Sequence, residues 1–264
     1  MEGEFFAGDF VARASFLQRE FDRWNAARTL RRLSRFARPG RLLEIGAGYG
    51  VFLAEATRLG FQCTALELSQ DVAARLRGAG HRVVQGCLED FAPGSPFKVV
   101  VMNHVLEHMP DPAASLRRLH GILLPAGILH IAVPNVEAWD ARLRGWTSYQ
   151  PYHLFYYSAA TLTRLLEQCG FEIVLVQTVE PFSGWLNAIL RSMLDGRFSR
   201  VRGSARGHGG GSSWRGVLRT GLNLARLLAG VVTWPLRVLQ GACGRGEELV
   251  IIARRPADAI GAAS

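Results

Sequence analysis

A short glycine-rich stretch, Glu44-Ile45-Gly46-Ala47-Gly48-Tyr49-Gly50, joins an apolar run to a segment with helical periodicity. The apolar run, 41–45, is typical of a buried strand, and the segment 49–59 is typical of a helix. Glycines in such a turn let the backbone bend tightly and approach a ligand, while the helix N-terminus offers free N–H groups. The stretch therefore predicts a ligand-binding turn, with a tight turn that binds nothing as the alternative.

Apolar runs and helical segments alternate on both sides of this turn. The predicted strands are 41–45, 62–66, 82–85, 98–102, 128–133, 171–179 and 249–253. The predicted helices are 49–59, 69–77 with Ser69 as N-cap, 112–123 and 158–169. This alternation predicts an α/β fold, a Rossmann-like doubly wound sheet of seven strands covered by helices on both faces.

The same pattern predicts three regions. Residues 1–38 are expected to form a helical N-terminal lid, since 10–36 has the periodicity of amphipathic helices. Residues 39–180 plus 247–255 form the predicted core, and 181–246 is a basic amphipathic insertion before the last strand. Within the insertion, 199–213 is rich in glycine and serine, which is typical of a flexible linker.

Charge and cysteine spacing limit the partners and the compartment. The chain carries a net charge of +9, but residues 191–245 alone hold ten arginines and one acid, so the remainder is balanced. Because the basic segment lies outside the predicted core, nucleic acid is not expected as a partner. The four cysteines form no CxxC pair, and residues 1–9 lack the pattern of a signal peptide. These features predict a cytoplasmic protein.

Two carboxylates stand where predicted strands end beside the turn. Glu44 would repel a pyrophosphate but attract an ammonium group such as that of S-adenosylmethionine. Glu67, at the end of the second strand, lies where an acid can bind both ribose hydroxyls. The dinucleotide pattern G-x-G-x-x-G would need a third glycine where Val51 stands. The residues thus favour S-adenosylmethionine over NAD and disfavour an NAD-dependent oxidoreductase.

Several motifs together resemble the class I S-adenosylmethionine-dependent methyltransferases over about residues 40–180. They are LLEIGAGYG from Leu42, ALELS from Ala65, GCLEDF from Gly86, NHVLEHMPDP from Asn103 and LPAGILHIAVPN from Leu124. Within that class the chain is similar to the branch of ubiquinone-biosynthesis O-methyltransferases and sugar and natural-product methyltransferases. The resemblance implies cofactor contacts at these residues: Glu44, Gly46, Ala47 and Gly48 for the methionine part, Glu67 and Leu68 for ribose and adenine, Leu88 and Glu89 for the adenine edge, and Asn103 and His104 after the fourth strand.

The residues after the fourth predicted strand offer acid–base chemistry. If the stretch is helical, the spacing places His104, Glu107 and His108 on one face. In the quinol O-methyltransferases that the chain resembles, the matching positions are proposed ligands of a divalent metal, commonly with glutamate where His104 stands. Three interpretations stay open: a metal site, direct base catalysis by His104 or His108, and hydrogen bonds that only hold the loop.

A second base candidate, His153, lies in the aromatic-rich stretch 149–157. That stretch could form a lid over the acceptor, or an aromatic cluster under a long loop. We expect methylation of a small molecule, with a hydroxyl of a sugar, phenol, quinol or natural product as the favoured acceptor. Methylation of nitrogen or carbon, and a non-catalytic cofactor-binding partner or membrane scaffold, are the alternatives.

The segment 214–241 is apolar with isolated arginines, Arg215, Arg219, Arg226 and Arg237, which gather on one side of a helical wheel. Its longest uncharged run, 227–236, has ten residues and is too short to span a membrane. The pattern predicts peripheral contact with an anionic membrane, on its inner face, or a helix packed on the protein with a solvated arginine stripe.

Overall fold

The computed structural model describes residues 16–146, 148–180 and 232–257. Its strands are β1 (Arg41–Ile45), β2 (Gln62–Glu67), β3 (Val83–Gln85), β4 (Phe97–Asn103), β5 (Leu123–Pro134), β6 (Glu172–Val179) and β7 (Glu248–Arg254). Its α-helices are α1 (Phe16–Leu33), α2 (Val51–Arg58), α3 (Gln70–Gly78), α4 (Pro112–Ile122), α5 (Ala159–Gln168) and α6 (Trp234–Ala242). The predicted order of strands and helices is confirmed.

The seven strands form one sheet in the order β3-β2-β1-β4-β5-β7-β6. Strand β1 pairs in parallel with both β2 and β4. After β1 the chain adds β2 and β3 on one side of it and then returns to add β4 on the other side, so the strand order reverses beside β1. In open α/β sheets, ligands bind at the carboxyl ends of the strands at such a switch point. The turn after β1 therefore stands where the fold itself favours a site.

Apolar side chains on one face of the sheet build the main core. Leu42 of β1 and Val99 of β4 are fully buried and pack with Leu30 and Leu33 of α1. Burial of each such side chain contributes roughly 1.5–3 kcal/mol relative to exposure. Strands buried in this way hold their ends in fixed positions, which gives the residues after them a rigid base.

Helix starts in this region follow their sequence signals. The Ser69 hydroxyl accepts a hydrogen bond from the Val72 backbone N–H at 3.4 Å, which confirms Ser69 as the N-cap of α3. The Asp111 carboxylate accepts from the Ala114 N–H at 2.8 Å and caps α4. Each cap satisfies a backbone donor that the helix itself leaves free, worth about 1 kcal/mol.

Strand β5 begins earlier than the predicted strand 128–133. Its first residues include Ala126, which is exposed and adopts a left-handed φ of 60°. The Ala126 N–H donates to the Arg255 carbonyl at 3.0 Å, and the Arg255 N–H donates to the Gly127 carbonyl at 2.9 Å. This pairing with a segment far along the chain extends the strand beyond its buried part.

Packing divides the described chain into two compact units. The first contains residues 16–133, 160–176 and 250–257, and the second contains 134–146, 148–159, 177–180 and 232–249. In the second unit, the Asn135 amide donates to the Gly244 carbonyl at 3.2 Å and the Gly246 carbonyl at 2.8 Å. The buried Gln240 side chain donates to a Glu180 carboxylate oxygen at 2.9 Å.

Several predicted features lie outside the described residues. These are the first fifteen residues of the predicted lid, the linker 199–213 and most of the segment 214–241 with Arg215, Arg219 and Arg226. Within the described ranges, helices are either too short or too polar to cross a bilayer.

Candidate active site

The turn after β1 has the backbone geometry of a ligand cradle. Gly46 and Gly48 adopt left-handed φ values of 69° and 51°, which side-chain-bearing residues rarely adopt. A Cβ on Gly46 would come within 2.7 Å of Val105 Cγ2, so only glycine fits there. A Cβ on Gly48 would meet no heavy atom within 4 Å, so the space beside that backbone is open. The turn thus combines a tightly fixed start with a face that a ligand can approach.

Two acids stand at the carboxyl ends of neighbouring strands, as predicted. Glu44 is 3 % exposed, and its Oε2 makes no hydrogen bond. Burial raises the pKa of Glu44 well above its ordinary value, the charge of Glu67 raises it further, and a hydrogen bond from Asn103 opposes the rise. Glu67 is also buried, and its Oε1 accepts a hydrogen bond from the Ser69 N–H at 3.1 Å.

The polar groups around the glycine turn suit S-adenosylmethionine. A buried carboxylate oxygen without a hydrogen-bond partner, next to a second acid, is electrostatically unfavourable. An ammonium group bound beside it would lower the free energy of the folded state. The open backbone at Gly48 admits the amino-acid part, and a carboxylate at Glu67 accepts from hydroxyl donors. The residues present therefore fit the methionine and ribose parts of that cofactor.

The predicted adenine edge is held by an arginine that the sequence did not single out. Leu88 is buried and Glu89 is exposed in the segment after β3. The Arg118 guanidinium of α4 donates to the carbonyls of Leu88 and Phe91. Leu68, on the predicted ribose and adenine side, is 69 % exposed. Arg118 thus positions the backbone that carries two predicted contacts.

After β4, an imidazole and a carboxylate come together. His104 adopts an unusual left-handed φ of 54°, and its N–H donates to the Ala132 carbonyl at 2.8 Å. Its Nδ1 lies 3.4 Å from Glu107 Oε1. The His104 side chain is 52 % exposed, whereas that of Glu107 is 1 % exposed. The pair therefore presents an accessible imidazole backed by a buried carboxylate.

The helical spacing predicted for this stretch is only partly right. A single 3-10 turn covers Leu106–His108, and His104 lies before it. The left-handed backbone at His104, rather than a helix face, brings the imidazole to Glu107. Ligand atoms of Glu107 and His108 lie within 4.8 Å of each other, so two of the three residues of the predicted metal site have the spacing of metal ligands. The metal site itself stays a prediction.

His153 belongs to the second unit, where it joins an aromatic cluster. Its Nδ1 is 2.7 Å from the Ser148 carbonyl, and its ring lies 6.1 Å from the Tyr156 ring. Tyr156 also stacks on Tyr149 at 5.8 Å and contacts Trp146 at 5.9 Å. Tyr149 is 75 % exposed, so the cluster has a wide solvent-facing side. That this aromatic cluster covers the methyl acceptor stays a prediction.

Comparison with known proteins identifies the family. The family model described as a methyltransferase domain matches residues 16–176. The chain belongs to the methyltransferase domain family. This membership confirms the predicted resemblance and the enzyme class, and it implies S-adenosylmethionine as the cofactor of this methyltransferase.

A curated relative, the ubiquinone biosynthesis O-methyltransferase of Xanthomonas campestris pv. campestris, is 38 % identical over 113 residues. That match covers 39 % of this chain and 46 % of the relative, so the methyltransferase spans about half the length of the curated relatives it matches. A second, from Caulobacter sp., is 33 % identical over 122 residues, covering 39 % of this chain and 48 % of the relative.

A solved structure of a possible histamine N-methyltransferase from Thermotoga maritima has a TM-score of 0.56 at 19 % identity, covering 91 % of this chain and 92 % of that one. This likeness confirms the predicted α/β methyltransferase fold.

One buried acid of the second unit was missed by sequence reasoning. Asp140 is fully buried, its two carboxylate oxygens make no hydrogen bond, and burial raises its pKa. Nothing in the sequence around it, between Trp139 and Ala141, indicates that its side chain is buried, because a lone Asp in a loop is ordinarily solvated. Only tertiary packing distinguishes it.

Proposed function

We propose that this methyltransferase methylates a hydroxyl group of a small molecule, with a phenol or quinol, a sugar or a natural product as acceptor. The observation that carries the proposal is the His104–Glu107 pair, 3.4 Å apart at the carboxyl end of β4. A hydroxyl must lose its proton when its oxygen is methylated, and a positioned imidazole can accept it. The names of the curated relatives, ubiquinone biosynthesis O-methyltransferases, support oxygen as the acceptor atom.

The cofactor would be held by residues around the glycine turn. S-adenosylmethionine supplies a methyl group on a sulfonium, a reactive centre that needs an oriented acceptor more than it needs activation. Glu44 would bind the ammonium, Glu67 the ribose hydroxyls, and the backbone at Gly48 would lie beside the amino-acid part. Leu88 and Glu89 would contact the adenine edge.

His104 would act as the general base. Its Nδ1 lies 3.4 Å from Glu107 Oε1, and a small approach of the two groups with a proton on Nδ1 would make a hydrogen bond and leave Nε2 to accept the hydroxyl proton. The imidazolium that forms would be stabilised by the carboxylate, and general-base catalysis of this kind contributes about 10²–10⁴-fold. Glu107 is a positioning residue in this scheme, since it acts through His104.

Replacement of each candidate base tests the proposal. With a panel of phenols and quinols, sugars and amines, release of S-adenosylhomocysteine is measured for His104→Ala, His108→Ala and His153→Ala. We expect His104→Ala to lower kcat by about 10²-fold or more with little change in cofactor affinity. If all three variants keep near-full kcat on the preferred hydroxyl acceptor, base catalysis is refuted. Turnover of amines alone would assign methylation to nitrogen, and no turnover of any acceptor would favour a non-catalytic cofactor-binding protein.

A chelator separates a metal route from a direct one. A divalent ion held by His104, Glu107 and His108 would lower the pKa of an acceptor hydroxyl. That route predicts loss of activity with a chelator and recovery with Mg²⁺ or Zn²⁺. The direct route predicts full activity in chelator and a rate that falls as histidine side chains become protonated, near pH 6.5 for a free imidazole.

We also propose peripheral contact of the second unit with an anionic membrane through α6. This helix exposes Trp234, Leu236, Val238 and Leu239, and it carries Arg237. From position 232 to 246 the sequence holds two arginines and no acid, so its charge complements anionic headgroups. An apolar surface with basic side chains and a tryptophan is typical of helices that lie in the membrane interface.

Vesicle flotation tests the membrane proposal on the full chain. We expect binding that rises with the fraction of anionic lipid and weakens in high salt. The double change Trp234→Ser and Leu239→Ser should reduce binding without altering cofactor affinity, whereas Val176→Ser, an exposed apolar residue of β6, serves as the matched control. Absence of flotation with anionic vesicles at low salt would leave a packed helix as the interpretation.

A further inference from the structure

The segment that follows β3 begins next to one of the two acids of the glycine-turn site. Gly86 comes directly after β3, and its N–H donates to the Glu67 carbonyl at 3.1 Å, so the segment starts beside the end of β2. In S-adenosylmethionine the adenine is joined to the ribose, and Glu67 is the acid proposed to bind the ribose hydroxyls. A ribose held at Glu67 places the adenine within reach of the residues that follow Gly86.

Residues 88–91 of this segment form one tight turn. The Phe91 N–H donates to the Leu88 carbonyl at 3.2 Å, which makes Leu88 the first residue of a β-turn and Glu89 the second. The side chains of Leu88 and Phe91 are 2 % and 7 % exposed, whereas Glu89 is exposed. Two buried side chains thus anchor the ends of the turn and leave its second residue at the surface.

Arg118 of α4 binds both ends of this turn. Its Nε donates to the Leu88 carbonyl, and its Nη2 donates to the Phe91 carbonyl at 2.8 Å. Hydrogen bonds from a charged donor are roughly twice as strong as those between neutral groups. The guanidinium is planar and its N–H groups have fixed directions, so the two bonds together set the orientation of the turn as well as its position.

The orientation of the Leu88 carbonyl determines the direction of the next N–H. The Leu88 carbonyl and the Glu89 N–H belong to one trans peptide group, so they point in opposite directions. Because the carbonyl points towards Arg118, the Glu89 N–H points away from it. In the part of the chain that the structure describes, this N–H donates to no acceptor. It is therefore a donor of fixed direction that a ligand can use.

We propose that Arg118 is a positioning residue that sets the base selectivity of the cofactor site, because it aims the Glu89 N–H at the ring nitrogen N1 of adenine. The inference rests on the proposed cofactor site and deepens it. In adenine, N1 has a lone pair and accepts a hydrogen bond. In hypoxanthine the same nitrogen carries a proton, so two donors would face each other without an acceptor, which is costly. The held turn thus selects adenine over hypoxanthine.

Calorimetric titration of the full chain with S-adenosylhomocysteine and its hypoxanthine analogue, S-inosylhomocysteine, tests the proposal. The measured quantity is the ratio of the two dissociation constants. We expect the wild-type chain to prefer S-adenosylhomocysteine by about tenfold or more. Arg118→Met keeps a long side chain but removes both donors, and it should reduce this preference by about fivefold or more. Arg117→Met is the matched control, because this neighbouring arginine of α4 is exposed and should leave the preference unchanged.

Two changes at position 89 test the donor itself. Glu89→Pro removes the N–H at the second position of the turn, where proline fits, and should abolish the preference. Glu89→Ala removes the carboxylate but keeps the N–H, so the preference should survive. If Arg118→Met does not fold, Arg118→Lys replaces it. This variant has one ammonium group in place of the guanidinium fork, so it should lower the preference by about twofold or more.

The ratio of affinities distinguishes positioning from a purely structural role. If Arg118 only stabilised the fold, its replacement would weaken both compounds equally, so an unchanged ratio in the folded Arg118 variant would overturn the inference. A wild-type chain without preference, or a preference that survives in Glu89→Pro, would overturn it as well. Absence of S-adenosylhomocysteine binding by the wild-type chain would refute the cofactor site and this inference together. Failure of hydroxyl methylation would leave the result intact, because the titrations contain no acceptor.

Discussion

Replacement of Glu44 by glutamine should stabilise the free protein while it weakens cofactor binding. Glu44 is 3 % exposed, its Oε2 lacks a hydrogen-bond partner, and the Glu67 charge acts on it. A buried acid of this kind costs stability in the absence of a cation. Glutamine keeps the shape and removes the charge, so the cost of ionisation disappears.

The raised pKa of Glu44 determines how the effect of this substitution depends on pH. In the folded protein this pKa lies well above its ordinary value, so the folded state resists ionisation and the unfolded state does not. Stability therefore falls as pH rises from the ordinary carboxyl range through the raised pKa. Above that pKa, Glu44→Gln should gain about 1–2 kcal/mol, which corresponds to roughly 2–8 °C in Tm for a chain of this size.

Thermal unfolding with and without S-adenosylmethionine measures both effects. The gain in Tm should grow as pH rises above the ordinary carboxyl range and vanish in acid, where Glu44 is uncharged in both the folded and the unfolded state. Loss of a charge-assisted hydrogen bond to the ammonium should weaken cofactor binding by about 10- to 150-fold, the equivalent of 1.5–3 kcal/mol. Glu55→Gln is the control, because this acid of α2 forms a surface pair with the exposed Arg58 and should change Tm little.

Two results would refute this reasoning. A lower Tm for the cofactor-free variant at neutral pH would mean that ionised Glu44 is compensated within the chain. An unchanged stabilisation by the cofactor would mean that Glu44 does not meet its ammonium group. Either result would remove the assignment of Glu44, while the fold and the family would stand.

Three further predictions concern the turn and the backbone. Glu67→Ala should weaken S-adenosylmethionine binding by about 1–3 kcal/mol in calorimetry, and Gly48→Val should abolish it by filling the open space beside the turn; wild-type affinity in both would exclude this site. Ala126→Gly should raise the free energy of unfolding in urea by about 0.5–1 kcal/mol because φ is 60° there, whereas the same change at Ala74, exposed in α3, should lower it by about 1 kcal/mol. Gly246→Ala should lower it by more than about 2 kcal/mol, since a Cβ would come within 2.5 Å of β6 backbone; a neutral effect would show that this approach is looser.

The strand pattern and the two acids could be predicted because they depend on local sequence and on topology alone. Strand β1 was predicted with its observed bounds, since Pro39-Gly40 and Gly46 punctuate an apolar run. Glu44 and Glu67 end adjacent parallel strands, and such ends meet at one edge. Any sequence with this order of elements would bring them close.

Other features depend on contacts between distant parts of the chain. The early start of β5 rests on hydrogen bonds to Arg255, which no periodicity near Ala126 encodes. Arg118 resembles the other arginines of its helix until α4 is placed against the segment after β3. The left-handed backbone of His104 is unusual for a residue with a side chain. The helical spacing therefore predicted its nearness to Glu107 correctly, although the backbone that brings them together is not helical.

The two buried acids Glu44 and Glu107 show how one sheet edge can hold two chemical roles. Glu44 faces a second acid, Glu67, whose charge raises its pKa further, so a cationic ligand beside it would offset the charge. Within the described residues, Glu107 makes no hydrogen bond through either carboxylate oxygen, but the His104 imidazole lies 3.4 Å from its Oε1, so a proton gained by that imidazole would face the carboxylate. The first arrangement favours a cationic ligand and the second favours an imidazole that gains a proton. Because the fold alone does not choose the chemistry, the partner of each buried acid is the feature that must do so.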